Sequence, residues 1–93
     1  MIELVAHMTK DPDEDLDYQF DWTGSLEEDE TIASYTLTVP TGITSHDDSN
    51  TDTAVIFWLS GGTAGETYRI ECEITTSASR VYKRSLDMLI VTK

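Results

Sequence analysis

A chain of 93 residues, 39% hydrophobic and 26% charged, has the length and composition of one globular domain with a single modest core, so residues 1–93 are expected to fold as one unit. Its 18 acidic residues against 6 basic ones give a formal net charge of −12 and disfavour nucleic-acid binding, which depends largely on Lys and Arg displacing condensed counterions. Cys72 is the only cysteine, so no intramolecular disulfide can form; with no cationic leader in MIELVAHMTK and no run of about 18 apolar residues, neither a signal peptide nor a membrane partner is expected.

The first predicted strand carries Ile2, Leu4, Ala6 and Met8 on one side, with Glu3 and His7 opposed. KDPDEDLDYQFDW follows, over residues 10–22. Asp11, Asp13 and Asp15 alternate as the first ligands of a calcium loop do, but Leu16 stands sixth where Gly makes the turn, and Trp22 stands twelfth where a bidentate Glu is required. No metal is therefore assigned. Pro12 fixes its own φ and keeps Asp11 extended, which makes the stretch a solvated loop. It leads into a strand with Tyr18, Phe20 and Trp22 inward and Gln19 and Asp21 outward.

ETIASYTLTV puts Ala33, Tyr35, Leu37 and Val39 on one face and Ile32, Ser34, Thr36 and Thr38 on the other, until Pro40, which cannot donate to a ladder, ends the strand. TAVIFWLS is apolar on both faces, as in a central strand or one whose second face meets another chain. Ile56 and Trp58 are the favoured interface pair, with Val55 and Phe57 as the alternative. TYRIECEITT gives the cleanest alternation, with Tyr68, Ile70, Cys72 and Ile74 opposite Arg69, Glu71, Glu73 and Thr75. RVYKRSLDMLIV sets Tyr82, Arg84, Leu86, Met88 and Ile90 against Val81, Lys83, Ser85, Asp87, Leu89 and Val91. TGSLEEDE, PTGITSHDDSNTD and SGGTAGE read as connections, because Gly, Asn, Asp and Ser tolerate positive φ or bond their own backbone.

Six to seven short strands with such connections specify an all-β protein, an immunoglobulin-like (fibronectin-like) two-sheet β-sandwich without a disulfide. AGETYRI adds the pattern of a tyrosine corner: Tyr68 lies just inside a strand after a glycine turn, and Ile70 takes the place that antibody domains give to cysteine.

Catalytic chemistry has few carriers. His7 falls on the outward side of a strand, His46 lies in a polar stretch beside Asp47 and Asp48, and Cys72 faces the predicted interior, where a thiol is inert. SGGTAGET has three glycines but no following Lys-Ser/Thr, and a strand follows where a phosphate cradle requires a helix. No enzyme and no cofactor are expected. Charge is divided unevenly: residues 1–52 hold 14 acids and one base, residues 53–93 hold 4 acids and 5 bases. One reading places the acidic loops at Asp13 and Asp15 of one protomer near Lys83 and Arg84 of the next, in a ring of copies; the plainer reading is that the division keeps the protein soluble.

Taken together, KDPDEDLDYQFDW, ETIASYTLTVPTGI and the run from TDTAVIFWLSGGTAGETYRI to MLIV resemble a family of small virion proteins of tailed bacteriophages and prophages, the fiber-tail adaptors or, more loosely, head-tail structural proteins. The stretch from Trp58 to Tyr68 is the most specific. The resemblance implies a non-catalytic immunoglobulin-like module, present as a homo-oligomer in the virion, that joins tail or neck machinery to fibers or neighbouring virion proteins. It implies assembly in the bacterial host cytoplasm. The unusual acidity of Asp13 to Asp17 and Glu27 to Glu30 departs from the family pattern. A competing expectation from charge is an acidic phage protein that binds a basic host protein by imitating DNA.

Overall fold

A computed structural model describes residues 6–93. Seven strands and no helix run through them: β1 (Ala6–Lys10), β2 (Leu16–Asp21), β3 (Ile32–Thr38), β4 (Ile43–Asn50), β5 (Ala54–Gly61), β6 (Thr67–Thr76) and β7 (Val81–Ile90). They form a four-stranded sheet in the order β1-β7-β6-β3 and a three-stranded sheet in the order β2-β5-β4. All pairs are antiparallel except β1 with β7. The all-β, two-sheet expectation is met, and Cys72 is buried and free. The order is compatible with the immunoglobulin-like arrangement: β2, β5 and β4 fall where strands B, E and D would lie, and β3, β6 and β7 where C, F and G would lie.

Alternation of side chains builds the core between the sheets. Val55, Phe57 and Leu59 on β5 face Ile70, Cys72 and Ile74 on β6 and Met88 and Ile90 on β7, all fully buried. Of the predicted inward rings, Phe20 on β2 and Trp22 just after it are buried and Tyr18 is half-buried, and Phe20 stacks on Phe57 with centroids 5.4 Å apart. Val55 and Phe57 are thus core residues, which leaves Ile56 and Trp58 as the outward pair of β5.

Tyr68 forms the expected corner, its hydroxyl accepting the Thr63 N–H at 3.1 Å. Gly42 has a φ of 106°, and a Cβ there would lie 2.9 Å from the Tyr68 ring, so only glycine fits beside it. On the β3–β4 side, the Tyr35 hydroxyl donates to Asp48 at 2.5 Å and ties the two sheets at their edges. That bond pushes the Tyr35 phenol up to about 12.

Two expectations are corrected. In β3, Ile32 is buried and Ala33 exposed, the reverse of the simple alternation, because a register shift between Ile32 and Ser34 turns the strand over at its start. The stretch around His46, read as a connection, is strand β4. Its Ser, Asp and Asn residues disfavour a strand, but pairing with β5 imposes one, with a second register shift at Asp47 and Asp48. In β1, Ile2 and Leu4 lie outside the described residues. Ala6 and Met8 share a face with Leu86 and Met88 but are exposed, because the four-stranded sheet is one strand wider than the sheet opposite. Two charges are buried. Lys10 is fully buried, with Nζ donating to the carbonyls of Asp11 (2.9 Å) and Gly61 (2.7 Å), and so links β1 to the end of β5. Glu30 accepts from the Thr76 hydroxyl and the Glu27 N–H and faces Arg80 at 3.3 Å. The Thr76 and Glu27 bonds hold its carboxyl below the usual range.

Candidate functional site

The outer face of the three-stranded sheet carries the feature that the fold does not itself use. Register places Asp17 of β2, Trp58 of β5 and His46 of β4 in one row across the three strands, and Gln19, Ile56 and Ser49 in the next. Ile56 and Trp58 are half-buried, and Asp17, Gln19 and Ser49 are exposed. A sheet face turned to solvent normally carries polar residues at such central positions, so two large apolar side chains flanked by carboxylates form an amphipathic patch.

His46 fixes the geometry of this patch. Its Nε2 lies 2.7 Å from Asp15 Oδ1 and its Nδ1 2.7 Å from Asp47 Oδ2, so the ring spans a carboxylate from the β1–β2 loop and one from its own strand. Both ring nitrogens donate only in the imidazolium, and the Asp47 and Asp15 bonds accordingly raise the His46 pKa above the usual 6.5. The ring also stacks on Trp58, with centroids 5.9 Å apart and planes inclined by 30°. Asp15, Asp47 and Trp58 therefore cradle one cation supplied by the chain itself. The neighbouring Asp47 was the local signal for this role, whereas the contact with Asp15 and the pairing that sets His46 against Trp58 are long-range.

The other candidate residues are distributed elsewhere. Asp13 lies in the β1–β2 loop, where its N–H donates to Asp11 Oδ1 at 2.8 Å and its carboxylate is exposed. Asp11 and Glu14 serve the loop and the end of the chain: Asp11 Oδ2 accepts the Lys93 N–H, and Glu14 accepts the Asp11 N–H and pairs with Lys93 Nζ at 2.9 Å. Lys83 and Arg84 are adjacent on β7 and project from opposite faces of the four-stranded sheet. Lys83 pairs with Glu71 at 2.8 Å on the outer face. Arg84 points inward, lies over the Trp22 ring at 4.4 Å and donates to the Asp21 carbonyl and the Ser25 hydroxyl. Arg69 pairs with Asp87 through both oxygens, and Arg80 faces Glu27 and Glu30. All six Lys and Arg residues of the chain thus have partners within it.

Among the described residues no group of three or more His, Cys, Asp and Glu side chains is arranged to hold a metal ion. Burial pushes the Cys72 thiol up to about 11, and both histidines face carboxylates. What the outer face presents is a combination of aromatic, apolar and anionic groups on one sheet.

In comparisons with known proteins, a family model described as podophage GP4 fiber-tail adaptor protein gp77 matches residues 10–89. No curated protein matches the chain.

Proposed function

The chain belongs to the podophage GP4 fiber-tail adaptor family, and from that premise we propose that it is a non-catalytic virion module joining the tail or neck machinery to fibers or neighbouring virion proteins. It takes its place during assembly in the host cytoplasm and is carried in several symmetric copies. The observation that best supports a joining role is the Trp58 and Ile56 patch, because a half-buried aromatic residue on the outer face of a sheet, ringed by polar groups, has the make-up of an interface anchor.

The test is the mass in solution of the purified protein, alone and mixed with the proteins encoded beside it. A stable complex with a tail, neck or fiber component is expected. A second reading, an acidic protein that captures a basic host protein, draws on the net charge of −12. A strict monomer that ignored every virion component but bound such a protein would replace the first reading with the second.

A further inference from the structure

We propose that the outer face of β2, β5 and β4 docks a cationic segment of a partner protein, bearing Arg or Lys side chains that enter beside Trp58 between the aspartates of β2 and β4. The proposal rests on the adaptor reading and names the chemistry of the partner at that face.

Charge complementarity carries it. Asp15, Asp17 and Asp47 are exposed around the patch, and none of them pairs with a Lys or Arg of this chain. Among the described residues the only cation at the patch is the His46 imidazolium, which at most offsets one of those charges. Two half-buried apolar side chains at the centre of the same face give an incoming Arg or Lys stem apolar surface to cover, beside an indole that already stacks on the His46 ring. The chain itself contains a worked case of this recognition: Arg84 over the Trp22 ring, with its nitrogens on a carbonyl and a hydroxyl.

A second copy of this chain fits the face poorly. Each copy brings a formal −12, and its six Lys and Arg residues are already engaged, two of them, Lys10 and Arg84, on groups inside the fold. Docking a copy would break an existing ion pair to form an equivalent one, with like charges brought closer.

The experiment titrates the full chain with a synthetic peptide of alternating Arg and Thr, and with its counterpart carrying Glu for Arg, at fixed low salt. It compares the native protein with Asp15→Asn/Asp17→Asn and with a control of equal charge change, Asp29→Asn/Glu66→Gln, both of whose sites are exposed and off the face. The Arg peptide is expected to bind about tenfold more weakly to the first variant and nearly unchanged to the control, while the Glu peptide does not bind. Equal losses in both variants would reduce the effect to net charge and overturn the proposal. Sedimentation of the native protein as a dimer that Trp58→Ser dissolves would make a second copy the occupant, and also overturn it. Because the aspartates are exposed, their variants keep the test valid if Trp58→Ser fails to fold. A virion partner that still bound Asp15→Asn/Asp17→Asn at full strength would refute this face and leave the adaptor reading intact. Peptide binding that follows the expected pattern with no virion partner found would do the reverse.

Discussion

The guanidinium of Arg84 lies 4.4 Å from the centroid of the Trp22 ring while its nitrogens donate to the Asp21 carbonyl and the Ser25 hydroxyl. Trp22 is 1% exposed, and its indole N–H has no acceptor among the described residues, so packing and the overlying guanidinium hold the ring. Arg84→Ala is expected to cost about 1–2 kcal/mol, the sum of a shielded cation–π contact and hydrogen bonds at the core's edge. The urea midpoint measures it. Arg84→Lys should recover only part, because an ammonium cannot lie flat on the ring and reach both acceptors.

Lys10 links the two sheets, and among the described residues its ammonium has no acidic partner. Its stem is buried and its ammonium bonds the Asp11 and Gly61 carbonyls. Lys10→Met keeps the length of the stem but removes the donors, and should destabilise by about 1–3 kcal/mol through the acceptors left unpaired. Amide exchange should rise in the β5–β6 connection more than at the β6–β7 turn.

The tyrosine corner predicts two unequal effects. Tyr68→Phe removes one hydrogen bond, the one from Thr63, and is expected to cost about 1 kcal/mol. Gly42→Ala must both hold a φ of 106° and place a Cβ 2.9 Å from the Tyr68 ring, so it should cost more, about 1–3 kcal/mol. Thermal unfolding of the two variants gives the order; a milder effect at Gly42 would refute the close approach.

His46 gives the stability a pH dependence of known sign. Its folded pKa is raised above 6.5 by Asp47 and Asp15, so its contribution is complete below about 6.5 and is lost as pH rises through the folded value. Glu30 acts in the opposite sense: its pKa is lowered from 4.5, and its contribution, present above that value, is lost as pH falls through the folded pKa. An NMR titration should find His46 titrating above 6.5. In His46→Gln the alkaline loss of stability should disappear while the acid loss remains; persistence of the alkaline loss would remove His46 as its source.

The residues show how far the sequence reaches. Alternation in TYRIECEITT determined which side chains of β6 fill the core, because a strand's side-chain period is fixed by its backbone and one face had to be apolar, whereas TAVIFWLS, apolar on both faces, left it to the assembled sheets to turn Val55, Phe57 and Leu59 inward. The sequence also favoured Ile56 and Trp58 over Val55 and Phe57 as the outward pair, and marked Tyr68 as the corner. Local pattern could not supply β4, whose composition argues against a strand, nor the inversion at Ile32 and Ala33, since both follow from pairing with a partner strand far along the chain. The same holds for charge. Composition gave the −12, but which charges are free depends on contacts such as Lys10 with Gly61, Glu30 with Thr76 and His46 with Asp15, across sequence separations of 51, 46 and 31 residues. Hydrophobic period is a property of neighbours in the chain, whereas burial of a charge and the row of Asp17, Trp58 and His46 are properties of strand order, and only the assembled sandwich decides them.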